Sequence, residues 1–73
     1  MGCDFNVGQA LSDIKVPGAE CGPKCASTPR CTHFVWNNFN GGTCWMKTGG
    51  ASKSDAFSTN DNTMVCGIVS SKI

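Results

Sequence analysis

Seventy-three residues carrying six cysteines make a chain too short for two domains and dense in sulfur. Six lysines and arginines against five acids leave a formal charge of +1. That field is too weak to draw the chain to nucleic acid or to an anionic membrane. Apolar runs stop at three or four residues, as in Phe34-Val35-Trp36, which excludes a membrane-spanning helix. The first twenty residues lack the basic start and apolar stretch of a signal peptide. A domain of this length buries only roughly 60–65% of its unfolded surface, so burial and chain entropy nearly cancel unless covalent staples help.

In chain order, Cys3-Asp4-Phe5-Asn6-Val7 alternates apolar and polar residues and predicts a half-buried strand, broken by Gly8. Leu11 to Val16 predicts a weak strand ended by Pro17-Gly18. Ala19 to Thr28 predicts the one helix, with Glu20 in its first turn and Pro29 as its stop. Pro23 is awkward there, because proline past the first turn removes a hydrogen bond. Either the regular helix starts at Gly22 with Pro23 as its first residue, or its opening turn is distorted.

Thr32-His33-Phe34-Val35-Trp36 is β-branched and aromatic almost throughout and predicts the best strand. Asn40-Gly41-Gly42 tolerates positive φ, so Thr43-Cys44-Trp45-Met46-Lys47 is expected to return as a hairpin arm. Thr48 to Asn62 is polar and predicts a long surface loop, with Phe57 its only large apolar residue. Met64 to Val69 predicts a last strand. No repeat, low-complexity segment or interior linker is visible. Residues 1–73 are expected to form a single α+β domain, disulfide-rich, with about five short strands and one helix.

The cysteines stand at 3, 21, 25, 31, 44 and 66, and fifteen pairings are open to them. Cys21 and Cys25, four apart, share a helix face. Cys25 and Cys31 flank the Pro29 turn and can close a small loop, Cys21 could then reach Cys44, and Cys3 with Cys66 would fasten the chain's two ends. The competing reading is a zinc site of Cys21, Cys25, Cys31 and His33. It lacks paired C-x2-C knuckles and strands the other three cysteines. Disulfides are therefore expected, with an oxidising compartment and no metal or cofactor.

The run Glu20-Cys21-x3-Cys25-x5-Cys31-Thr32-x-Phe34-x-Trp36, followed by Gly41-Gly42-Thr43-Cys44-Trp45-Met46-Lys47, resembles the PAN/apple domain family. Cys3-Asp4-Phe5 and Leu11-Ser12-Asp13 resemble its opening strands, and Met64-Val65-Cys66-Gly67-Ile68 its last, so the likeness covers nearly the whole chain. The resemblance implies a curved antiparallel sheet of about five strands cradling one helix. It also implies the nested pairing Cys3–Cys66, Cys21–Cys44 and Cys25–Cys31. It further implies an extracellular, secreted, non-enzymatic module that binds carbohydrate or protein.

Catalytic constellations are not evident. His33 is the only histidine, oxidised cysteines leave no thiolate, and no spacing suggests a triad or a calcium loop. A pair of glycosidase carboxylates would need a cleft that so small a chain hardly has room for. Strand parity offers a binding surface instead. If Cys44 and Met46 face the helix, Trp45 and Lys47 face away, and with Phe34 inside, His33 and Val35 join them. An exposed Trp45 flanked by His33 and Lys47 could stack on a sugar ring or anchor a protein. The bland alternative covers Trp45 with the 48–62 loop and Phe57, and leaves His33 an ordinary strand residue. Asn37, with Asn38 and Asn40, could hydrogen-bond sugar hydroxyls or simply make the turn.

No Asn-x-Ser/Thr sequon occurs, since Asn62-Thr63-Met64 fails the spacing. The Ser/Thr-rich stretch Thr48 to Thr63 could carry O-linked sugar. The functional expectation is recognition of carbohydrate or an extracellular protein, without nucleic acid or membrane insertion. Its rival is a structural subunit that self-associates through sheet edges into an oligomer or fibre.

Overall fold

The sulfurs decide where the helix sits. In the computed structural model, which describes residues 2–5, 7–50, 53–61 and 63–69, α1 spans Gly18–Ser27 and buries Cys21 and Cys25 on one face. Cys21 is bonded to Cys44 in the sheet below, with Cα atoms 5.2 Å apart, and Cys25 to Cys31 just beyond the helix end, also 5.2 Å apart. The third bridge joins Cys3 to Cys66 at 5.7 Å. These are the three pairs that the family resemblance implies. Asn6, Ala51, Ser52 and Asn62, parts of the first predicted strand and of the polar 48–63 stretch, lie outside the described residues.

The helix runs from Gly18 straight through Pro23 rather than beginning at Gly22. Proline at that position gives up the bond to the Ala19 carbonyl. Ala19 and Pro23 are both exposed, so the lost bond lies on the solvent side, between two turns that the Cys21 and Cys25 bridges clamp from beneath. The C-terminus is closed by Thr28, whose N–H donates to the Cys25 carbonyl at 3.1 Å and whose hydroxyl donates to the Lys24 carbonyl at 2.6 Å.

Four strands form the main sheet: β2 (Gln9–Ile14), β3 (His33–Asn37), β4 (Thr43–Thr48) and β6 (Val65–Ile68), in the order β2-β4-β3-β6 with every pair antiparallel. A second, two-stranded sheet pairs β1 (Gly2–Phe5) with β5 (Ala56–Thr59). The described residues thus make an α+β fold of one helix, six strands in two antiparallel sheets and three disulfides. Two expectations need correction. A single sheet of about five strands is replaced by two sheets. The segment from Thr48 to Asn62, expected to be a loop, contains β5. Its sequence Ala-Phe-Ser-Thr fully buries none of its side chains and leaves Phe57 45% exposed, so no buried apolar alternation advertises it. β2 also starts two residues earlier than expected and carries a bulge, its register passing from Ala10↔Lys47 to Ser12↔Met46 with Leu11 extra.

The pleat sorts the main sheet into two faces. Phe34, Trp36, Cys44 and Met46 face the helix, where Cys21, Cys25, Cys31, Cys44 and Met46 are buried and Leu11, Val16 and Val69 close the sides. The opposite face carries the row Asp13, Trp45, Val35, Cys66 and beside it Ala10, Lys47, His33, Ile68. That outer face is covered in its turn. The Cys3–Cys66 bridge ties β1 across it, and Phe5 and Val35 are buried there with Val7, Ala56 and Met64 packed around them. Burying the Phe5 ring alone is worth about 1.5–3 kcal/mol.

Two glycines combine a positive φ with a contact that leaves no room for a Cβ. Gly42 (φ 127°) ends the β3–β4 turn after Asn40 (φ 53°), and a Cβ there would lie 2.8 Å from the Trp36 ring. Gly8 (φ 86°) carries the chain from β1 to β2 so close to His33 that a Cβ would meet its ring at 2.4 Å. Before β6, the Thr63 hydroxyl and then its N–H donate to Asp61, holding that exposed carboxyl below its ordinary pKa. No helix among the described residues is long and apolar enough to cross a membrane.

Two outcomes check this architecture. Native protein is expected to weigh six hydrogens less than its reduced form, and Cys21→Ala with Cys44→Ala to lose about 2–5 kcal/mol by denaturant titration; an unchanged midpoint would detach the helix from the bridge argument. Gly8→Ala combines a disallowed φ with a clash and is expected to cost ~2 kcal/mol or more in the same assay.

Candidate functional site

The two-stranded ribbon covers only part of the outer face. β1 packs over β6 and β3, which leaves the β4–β2 side of the main sheet partly open. The opening is a groove of about 420 Å³. Val35 and Trp45 form its floor, Asp4 of β1 and Asp13 of β2 border it from the ribbon and the edge strand, and Asn37 and Lys47 are among its other lining residues.

Each polar group there is placed by the backbone. Asn37 and Trp45 share the outer face, and Trp45 Nε1–H donates to Asn37 Oδ1 at 2.9 Å. The Phe39 N–H donates to the same oxygen at 3.2 Å, so two donors fix the amide and turn its Nδ2 hydrogens elsewhere. The Phe39 ring, 55% exposed, stands 5.9 Å from the Trp45 ring at 44°. Trp45 is therefore half-buried, with its N–H spent internally and its ring left as the apolar part of the groove. Lys47 Nζ donates to the Phe5 carbonyl at 3.0 Å, and Asp4 Oδ1 accepts the Phe5 N–H at 2.7 Å. Both charged groups are thereby anchored to the ribbon.

His33 requires a correction. Parity puts it on the outer face as expected, but it is fully buried, under Phe5, whose ring meets the imidazole edge-on at 5.1 Å. Its Nε2–H donates to the Val7 carbonyl at 2.9 Å, while Nδ1 lies 3.0 Å from Thr32 Oγ1. The Thr32 hydroxyl in turn reaches the Gly49 carbonyl at 2.6 Å. His33 pins two turns together and cannot touch a ligand. The ribbon that covers it was invisible to strand parity because β5 was hidden in an apparent loop. Trp45, Lys47 and Asn37 do come together in the groove. Asp4 and Asp13 were missed as site residues, although Asp13 has a readable signal: in a paired sheet it sits directly across from Trp45. The ring beside Trp45 is that of Phe39 and not, as the bland alternative had it, that of Phe57.

Chemically, the groove offers an aromatic face, two carboxylates, an amide and one ammonium. All six cysteines are oxidised, and the described residues contain no cluster of histidine, cysteine or acidic groups able to hold a metal ion. The zinc alternative fails because its three cysteines are consumed in disulfides. No family model, curated protein or solved structure matches the chain.

Asn37→Ala should release the Trp45 N–H at a stability cost of about 1 kcal/mol. The Trp45 indole N–H resonance is expected to move while that of Trp36, bonded to the Val16 carbonyl at 2.7 Å, stays in place; equal movement of both would contradict the local assignment.

Proposed function

We propose that this chain is an extracellular, non-enzymatic recognition module of PAN/apple type that binds carbohydrate, free or on a glycoprotein, in the groove over Trp45. The single observation that carries the reading is a half-buried indole, its N–H already satisfied, lying in a groove among an amide and charged side chains. Sugar rings combine an apolar face with a rim of hydroxyls. An aromatic floor and a polar surround match both parts, and a fixed indole loses little entropy on binding. The nested bridges and the helix laid on an antiparallel sheet support the family assignment, and three disulfides support an oxidising, extracellular setting.

A second reading is favoured by a different feature. Among the described residues β2 pairs only with β4, so its other edge is open there, and nearly all of its residues are exposed, Ile14 at 38%. An open edge of that kind is a template for pairing with another copy, which would make the chain a self-associating structural subunit.

A glycan array probed with size-fractionated protein separates the two. Recognition predicts a monomer that retains a defined set of glycans, with Trp45→Ala weakening retention at least roughly tenfold while the three disulfides still form. Filaments or large oligomers that retain no glycan would favour the structural reading and overturn recognition.

A further inference from the structure

We infer that the groove selects a sugar ring bearing a free amino group, held as its ammonium between the Trp45 indole and the Asp13 and Asp4 carboxylates. This rests on the carbohydrate reading above and adds the charge of the ligand to it.

The argument is electrostatic and positional. Asp13 is the direct cross-strand partner of Trp45, and both side chains lie on the outer face. Directly opposed residues in an antiparallel pair have Cβ atoms roughly 4.5–5.5 Å apart, which puts a carboxylate at the margin of the indole. Asp4 comes from the ribbon on the far side. Its Oδ1 is held by the Phe5 N–H, leaving Oδ2 as a fixed acceptor. Lys47 is the one cation in the lining, and its Nζ is directed to the Phe5 carbonyl. Among the described residues no ion pair joins it to either aspartate. Two carboxylates against one ammonium leave the groove with a net negative charge beside a π-face.

An ammonium group satisfies both features at once. The indole quadrupole attracts it through the ring face, and each carboxylate accepts a charge-assisted hydrogen bond from one of its three hydrogens. The Asn37 Nδ2 hydrogens remain as donors for a ring hydroxyl. A sulfated or carboxylated sugar would instead bring like charge to Asp4 and Asp13, and an acetylated amine would bring no charge. The chain's overall charge of +1 is thus inverted locally at the groove.

The test uses three trisaccharides of one linkage that differ only at the second carbon: a glucosamine trimer, an N-acetylglucosamine trimer and a glucose trimer. Each is titrated into the disulfide-bonded protein, in buffer acid enough to keep the amine protonated, with the Trp45 indole resonance as readout. The amine trimer is expected to bind roughly tenfold more tightly than the other two and to weaken as salt is added. Asp13→Asn, at an exposed position, should bring it down to the glucose trimer's level. Equal binding of all three, or full amine selectivity in Asp13→Asn, overturns the ammonium site while the carbohydrate reading stands. If no trimer binds and a lysine-containing peptide shifts the Trp45 resonance instead, both the amino-sugar inference and the carbohydrate reading fall.

Discussion

A sheet with a helix on one face and a ribbon on the other has two interiors to fill, and this chain has few large apolar side chains to fill them. Among the described residues four of the seven buried apolar ones are half-cystines, so on the helix side the sulfur is both the staple and much of the packing. The rest of the structure depends on that double use. Cys21–Cys44 sets the helix down on β4, Cys25–Cys31 fixes the chain's exit from the helix into β3, and Cys3–Cys66 draws β1 across the far face onto β6. Cross-links of this kind stabilise chiefly by restricting the unfolded chain, which suits a domain whose folded contacts alone are marginal. They also explain how Pro23 is tolerated inside the helix, since its neighbours are held covalently to the layer beneath.

The same economy produces the groove. A ribbon of two strands is too narrow to cover a sheet of four. It seals β3 and β6, where Phe5, Val35 and His33 become fully or almost fully buried, and stops short of the β4–β2 side. What remains open is a strip floored by Trp45 and flanked by one aspartate from the ribbon and one from the edge strand. The ribbon is held over His33 by polar contacts as well as apolar ones: the imidazole donates to the Val7 carbonyl beyond β1, and Lys47 donates to the Phe5 carbonyl. The groove and the interior therefore draw on neighbouring residues of one face. His33 and Val35 serve the interior, while Trp45, directly across from Val35, and Asn37, two residues further along β3, line the groove.

Strand parity went further than any other local signal. It placed Cys44 and Met46 against the helix and His33, Val35, Trp45 and Lys47 on the opposite side, because a pleated strand alternates whatever surrounds it. It could not say what lies over that opposite side. Parity alone therefore leaves His33 free to face solvent or to pack on a neighbour. The element that buries it pairs with a segment, residues 56–59, whose composition looks like a loop. The Leu11 bulge had a similar effect on β2, shifting its register so that Asp13 and not its neighbour falls beside Trp45.

By itself, the sequence determined the class of fold, the one helix, the strand pairs flanking the Asn40-Gly41-Gly42 turn and the dependence on oxidised sulfur, since each follows from spacing and composition over a few residues. Only the tertiary structure decided that the ribbon crosses the outer face, that His33 lies inside and that Asp4 and Asp13 line one groove with Trp45. Those outcomes require residues far apart in the chain to meet, and pairing through backbone hydrogen bonds leaves no side-chain pattern for a reader of the sequence to find.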